Sequence, residues 1–450
     1  MDAFRIHGGQ RLTGTISVDG SKNAALPLLA AALLTEEAVS FTSVPKLSDI
    51  ENMLKLLNEL GCSNNYSKDT LTLQTQDETQ SHGRYDIVRT MRASVCVLGP
   101  LLAKRGVVRI SMPGGCSFGD RPIDLHLRGL EALGARIELD GGDIIAKADQ
   151  LQGATIFLGG PFGSTVGGTM NVMSAATLAR GRTIIESAAC EPEVTDLATL
   201  LNKMGAKISG AGTPRITIDG VQQLGGANHE IMPDRIVAGT WAIASAMTNG
   251  DIKIKRFPLD HLLAVRDVLS HIGVHINQLD KTEDTKSCTV QIVTDRSLKP
   301  VIFTTQPFPG FPTDLQAQMM ALLCLSRGNS IITEKIYPER FMHVPELSRM
   351  GAKLVRQGST VVVQGVDHLV GAPVMASDLR ASASLVLAGL AAEGETIVSR
   401  VYHLDRGYSS MEDTLNELGA DIKRIKEEFN EEPLPIVETA SQKKAAQNKI

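Results

Sequence analysis

Charged and polar residues stand at the head of apolar segments all along this chain, where they could gather cations around a small anion. Lys22-Asn23 precede AALPLLAAALL, Arg92 precedes ASVCVLGPLLA and Thr169 precedes MNVMSAATLA. Asp234-Arg235 precede IVAGTWAIASA, Asp314 precedes LQAQMMALLCL, and Asp378-Leu379-Arg380 precede ASASLVLAGLAA. Segments apolar on every face are interior helices, and each helix start carries partial positive charge. A lysine there is unfavourable unless an anion compensates it, so Lys22 reads as a phosphate or carboxylate contact. Asn23 and Asp314 are also good N-cap types, and Asp314 taken alone reads as a cap. Cys116 lies in PGGCSFGDRP, a polar loop rather than core, with Arg121 beside it. Cys62, Cys288 and Cys324 read as small core hydrophobes.

The elements that must position these groups form a repeat. Leu60-Gly61-Cys62, Leu133-Gly134-Ala135, Met204-Gly205-Ala206, Ile272-Gly273-Val274, Met350-Gly351-Ala352 and Leu418-Gly419-Ala420 recur 68 to 78 residues apart. An amphipathic helix precedes each, as in Ile50, Met53, Leu54 and Leu57, and the Gly is its stop. Short alternating strands such as ARIEL and DIIAKA follow. Six units, each with an outer helix, an inner helix and strands, divide into two similar α/β domains of three units. The sixth unit has only ADIKRI after its Gly, and its missing strands are available in residues 3–18. The expected domains are therefore 22–231, and 1–21 together with 232–425, with a double chain crossing as a hinge. Residues 426–450 read as a flexible tail. If the domains face each other, six helix starts look into one cleft, which suits a small, highly anionic substrate.

Composition excludes several other classes. Of 450 residues, 43% are hydrophobic and 21% charged, ordinary for a globular chain, and the net charge is −5. A nucleic-acid binder would be more basic and richer in stacking residues than this chain, which is 4% aromatic. The longest apolar run, Ala24 to Leu34, is too short to span a bilayer and contains Pro27. MDAFRIHGGQ lacks a secretion-signal pattern, so a cytoplasmic protein is expected, without membrane or nucleic-acid partners. Six cysteines are too sparse for a disulfide scaffold, and no zinc spacing occurs.

SKNAALP (21–27), TMRAS (90–94), PGGCSFGDRPIDLH (113–126), FPTDLQAQ (311–318), ERFMHVPELSRMGA (339–352), DLRASASLVLAGLAAEG (378–394) and HLDRGY (403–408) resemble the signature segments of the enolpyruvyl transferase family, in its branch acting on a UDP-sugar. The resemblance runs from residue 1 to about 425. It implies the family's pair of inside-out α/β barrels, with the active site between them and no cofactor or metal. It also implies transfer of the enolpyruvyl group of phosphoenolpyruvate to the 3-hydroxyl of UDP-N-acetylglucosamine, releasing phosphate, for peptidoglycan precursor synthesis. Such addition needs a base for the hydroxyl, an acid for the methylene carbon, and cations for phosphate and carboxylate. By resemblance Cys116 is the acid and the target of the epoxide phosphonate fosfomycin. Asp314 is the leading base and Asp378 the second. Lys22, Asn23, Arg121, Arg340, Arg380 and Arg406 are the implied phosphoenolpyruvate contacts. For the sugar nucleotide the implied set is Arg92, Arg121, Pro122, Ile123, Asp124, Leu125, Ser164, Val166, Gly167, Asp314 and Ile336. The Gly-rich loop GGPFGSTVGGT (159–169) could reach the diphosphate with backbone amides, although no Lys or Arg lies between 155 and 179. The alternatives are the sister transferase using shikimate 3-phosphate, and a non-catalytic six-repeat binding ring. Cys116 and the close fit at ERFMHVPELS argue against the sister enzyme.

Overall fold

The computed structural model describes residues 2–112, 123–280, 286–294 and 297–427. Cys116, Arg121 and Pro122 lie outside these, as does nearly all of the expected tail. Thirteen α-helices occur among the described residues: α1 (Lys22–Ala31), α2 (Ser48–Glu59), α3 (Tyr85–Val88), α4 (Leu98–Arg105), α5 (Asp124–Ala132), α6 (Val166–Ala176), α7 (Pro192–Lys203), α8 (Arg235–Met247), α9 (Leu263–Ile272), α10 (Gln316–Leu323), α11 (His343–Arg349), α12 (Leu379–Ala391) and α13 (Met411–Glu417). Six of them, α1, α4, α6, α8, α10 and α12, are the apolar bodies. Every residue of α12 from Arg380 to Leu390 is buried. The amphipathic helices bury one stripe, Ile50, Met53 and Leu57 in α2, and Leu197, Leu200 and Leu201 in α7. The repeat glycines have φ between +79° and +105°, the left-handed conformation that ends a helix without a Cβ clash.

Each unit carries one four-stranded sheet, and all six share an order: an edge strand parallel to a central one, then two antiparallel neighbours. The ends of the chain close the two rings differently. Ala227–Glu230 returns to pair in parallel with Val39–Thr42 of the first unit. At the N-terminus, β1 (Asp2–His7) pairs with Glu395–Ser399 and with Asp421–Lys426, completing the sixth sheet. The next strand, β2 (Thr13–Ser17), departs from the sequence expectation. It joins Asp251–Phe257 in the fourth sheet, because that sheet is the one left without a parallel edge strand. Two apolar cores result, one built from Ala24 to Ile231, the other from Phe4 to Val18 and Ile236 to Ile422.

Close helix contact inside the first core depends on a glycine. A Cβ on Gly99 would stand 2.2 Å from the Asn171 carbonyl oxygen, so only Gly lets α4 touch α6 here. Asn171 then serves three groups: it accepts from the Gly99 amide (2.5 Å), and its Nδ2 donates to the Val95 carbonyl (2.9 Å) and to His126 Nδ1 (3.1 Å). Asn171→Ala would strand these buried groups, and we expect a loss of about 2–4 kcal/mol in urea unfolding, from unmet hydrogen bonds plus the lost packing. A loss below about 1 kcal/mol would mean that those groups find other partners.

The helix starts differ in detail from the sequence reading. The cap of α1 is Ser21, whose Oγ accepts from the Ala24 amide, rather than Asn23. Thr165 caps α6, so Thr169 lies one turn inside, where its Oγ1 accepts from the Ala189 amide. Arg92 leads a 3-10 segment, Arg92–Val97, ahead of α4. Asp314 does not cap: it sits within a 3-10 turn, Thr313–Leu315, with Pro312 in the cap position. Asp378 does cap, its Oδ1 accepting from the amides of Arg380 (2.9 Å) and Ala381 (3.2 Å).

Candidate active site

Freed from capping, the Asp314 carboxylate becomes the centre of a charged cluster between the two cores. Arg340 Nη1 donates to its Oδ1 (2.8 Å) and to Thr313 Oγ1 (3.0 Å). Arg380 Nη2 donates to Oδ2 (3.2 Å), and its Nη1 to the Tyr408 hydroxyl (3.3 Å). Asn23 reaches the same Oδ2 from the other core at 3.5 Å. Both arginines are buried, while Asp314 keeps 26% of its side chain exposed. Burial pushes the Asp314 carboxyl up, but Arg380, Arg340 and Lys22 outweigh it and hold the group well below the carboxylate range. Glu334, fully buried, orients this corner by accepting from Thr305, Thr313 and the Ile336 and Tyr337 amides. That places Ile336 beside the cluster.

A second carboxylate, Asp49, organises two further cations. Lys22 Nζ is 3.3 Å from its Oδ2 and Arg406 Nε 3.0 Å from its Oδ1. Burial lowers the Lys22 pKa against the opposing pull of Asp49. In sequence Asp49 carries no signal of this role, because an acidic residue in the first turn of an amphipathic helix is an ordinary complement to the helix dipole. Arg406 and Lys22 come together here by way of Asp49, and Lys22 stands close enough to Arg380 and Asp314 to share their field. Asp378 lies at the edge of the cluster, with Oδ2 accepting from Ser377 (3.2 Å). Between Asp378 and Arg340 is His343, 1% exposed, whose pKa burial drives down to about 4, so it is neutral at physiological pH.

The expected nucleotide residues gather on the other side. A Cβ on Gly160 would meet the Leu125 side chain at 3.1 Å, and one on Gly167 would meet the His126 ring at 3.1 Å. The start of α5, with Ile123, Asp124 and Leu125, therefore lies against the Gly-rich ribbon Gly159–Ser164. Val166 is the first residue of α6, directly after that ribbon. Arg128 fastens the ribbon by donating to the Phe157 (2.6 Å) and Gly159 (3.1 Å) carbonyls. Arg92 is near enough to help burial depress the His126 pKa to about 4. A Cβ on Gly163 would come within 3.1 Å of Pro307, so the ribbon reaches the other core. Next to it Arg235, a leader the sequence placed in the cleft, is held by Glu193 at 2.9 and 3.3 Å and faces the Phe308 ring at 5.7 Å.

Of the described cysteines, Cys62, Cys96, Cys288 and Cys324 are buried and Cys190 is intermediate. Burial raises every one of these thiols, Cys96 and Cys324 to about 12, so none is a ready nucleophile. Among the described residues no group of three or more His, Cys, Asp and Glu could hold a metal ion. No helix among them is long and apolar enough to cross a membrane.

Two repeated three-unit rings meet at a cluster of cations around acidic groups, an arrangement suited to a small anion. The family described as EPSP synthase (3-phosphoshikimate 1-carboxyvinyltransferase) matches residues 6–439. Relatives named UDP-N-acetylglucosamine 1-carboxyvinyltransferase are 52% identical over 94% of this chain and 99% of theirs in Nitratidesulfovibrio vulgaris, and 51% identical over 95% and 100% in Myxococcus xanthus. Among solved structures, the enolpyruvyl transferase NikO from Streptomyces tendae superposes with a TM-score of 0.84 at 25% identity, covering 94% of this chain and 98% of that one. EPSP synthase from Acinetobacter baumannii shares the fold, with a TM-score of 0.73 at 17% identity over 95% of this chain and all of that one. The chain belongs to the enolpyruvyl transferase family. It is an enzyme, a carboxyvinyltransferase of the kind that serves peptidoglycan synthesis, and the binding-ring reading is set aside.

Proposed function

We propose that this chain transfers the enolpyruvyl group of phosphoenolpyruvate to the 3-hydroxyl of UDP-N-acetylglucosamine, in the cytoplasm. The observation that carries it is the Asp314 cluster: one carboxylate, open on one side, between Arg340, Arg380 and the Lys22–Asn23 helix start. Phosphoenolpyruvate enters this field with Lys22, Arg340, Arg380 and Arg406 on its phosphate and carboxylate, joined by Arg121. The sugar nucleotide lies along α5 and the Gly-rich ribbon, contacting Arg92, Arg121, Pro122, Ile123, Asp124, Leu125, Ser164, Val166, Gly167 and Ile336, with its 3-hydroxyl on Asp314. As the anion shares the guanidinium charge, the proton affinity of Asp314 rises toward what a base requires. The hydroxyl oxygen then bonds to C2 while Cys116 protonates C3. Elimination completes the transfer: C3 returns a proton to the Cys116 thiolate as the C2–O bond to phosphate breaks, and the departing phosphate takes the proton held by Asp314. Asp314 is preferred over Asp378 as base because it stands among the cations with 26% of its side chain exposed, whereas Asp378 is buried as a helix cap.

The two rings, 22–231 and 1–21 with 232–425, are the proposed domains, with closure on the sugar nucleotide. A phosphate-release assay should respond to UDP-N-acetylglucosamine and not to shikimate 3-phosphate; the opposite preference would overturn the assignment. Small-angle scattering should show compaction at saturating sugar nucleotide, and labelling of the Cys116 thiol should depend on the same ligand. An unchanged radius of gyration would refute closure.

A further inference from the structure

We infer that Asp234 is a positioning residue that sets Lys22 in register with the opposite ring, an inference resting on the reading that Lys22 holds phosphoenolpyruvate. Asp234 is 3% exposed and stands on the second of the two chain crossings. Its Oδ1 caps α8 in the usual way, accepting from the Ile236 (2.8 Å) and Val237 (3.0 Å) amides. Its other oxygen does something a cap does not require: Oδ2 accepts from the backbone amide of Lys22 at 3.1 Å. One carboxylate thus ends two inner helices, α8 of its own core and α1 of the other, at the positive ends of both dipoles.

The surrounding backbone makes this a fixed point. The crossings 18–22 and 230–234 run side by side, with the Ser21 amide on the Met232 carbonyl (2.7 Å), the Asp234 amide on the Asp19 carbonyl (2.9 Å), and Gly20 bridged to Pro233. Arg256 braces them through the Val18 and Ile231 carbonyls. Lys22 is therefore the first residue past the hinge, and its amide is the last bond before the ammonium enters the anion site. Without Oδ2 the Lys22 amide would lose its acceptor, and the first turn of α1 would keep only the Ser21 cap. The distance from the Lys22 ammonium to Arg380 and Asp314 would then vary with every hinge movement.

The test separates the two jobs of the carboxylate. Asp234→Asn keeps a carbonyl oxygen for the α8 cap but turns an amide donor toward the Lys22 N–H, and Asp234→Ser keeps a capping hydroxyl with nothing reaching Lys22. Both should fold cooperatively but melt somewhat below wild type, because the buried Lys22 N–H loses its acceptor, and both should lose about tenfold in kcat/KM for phosphoenolpyruvate, with the sugar-nucleotide KM moving less than about twofold. In a Lys22→Met background, which keeps the backbone amide but removes the ammonium that Asp234 positions, the loss on adding Asp234→Asn should shrink, since the residue acts through Lys22. Wild-type kinetics in both variants, or losses that simply multiply in the double variant, would overturn the inference. Lys22→Met retaining full phosphoenolpyruvate kinetics would instead remove Lys22 from the proposed site, a distinct failure.

Discussion

Asp314→Asn is expected to lower kcat by at least about 10²-fold, the usual worth of a positioned proton acceptor. The amide keeps the shape of the carboxylate and can still accept from Arg340, but it cannot take the sugar hydroxyl's proton. It also leaves Arg340 and Arg380 short of countercharge, although Thr313 and Tyr408 still accept from them. Stability should therefore fall by only about 1–3 kcal/mol, and circular dichroism should be unchanged. Steady-state phosphate release checks the first effect and thermal melting the second. A variant keeping more than about a tenth of kcat would move the base to Asp378.

The second large effect concerns the cation that donates to the Oδ2 of that base. Arg380 is buried, and of the charges that lower the Asp314 pKa it acts most strongly. Arg380→Met fills a similar volume without charge, and kcat/KM for phosphoenolpyruvate should fall at least about 10²-fold through loss of one anion-binding fork. The pH dependence carries a sign. The folded pKa of Asp314 is depressed, so its ion pairs stabilise the protein above the unfolded value near 3.9 and stop doing so as pH falls through the folded value. Wild-type kcat/KM should accordingly show no Asp314 limb near neutrality. Removing Arg380 raises this pKa, so an acid limb should move up in pH, read directly from a kcat/KM profile between pH 4 and about 8. An unchanged profile would detach Arg380 from Asp314 in solution.

What could be read from the chain, and what could not, follows the range of the interactions. The twelve inner and outer helices were legible because their periodicity, or its absence, is local, as with Ile50, Met53 and Leu57 against the unbroken apolar body of α12. The Gly stops were legible for the same reason. Asp314 and Asp378 occupy equivalent repeat positions and look alike in sequence. They diverge because Asp314 accepts from guanidinium groups 26 and 66 residues away, while Asp378 accepts from its own helix start and from Ser377. Asp49 was missed because its partner Arg406 is 357 residues distant. The fate of β2 was misjudged for a comparable reason: the alternation of RLTGTISV announces a strand but not which of two open sheet edges receives it.

The pairing of β1 with strands near residues 395–426 has a consequence for biosynthesis. The Ala24–Ile231 core is continuous in the chain and can close as soon as it has left the ribosome, whereas the other core waits for both extremities. At 5–20 residues per second, β1 and β2 would emerge first and β1 would remain without its sheet for roughly 20 to 80 s. During that interval DAFRIH presents bare backbone edges and the apolar side chains of Phe4 and Ile6. Nascent chains of this protein should thus be occupied by chaperones at their N-terminus until the sixth unit arrives, and tags placed there should impair yield more than tags placed at the other end.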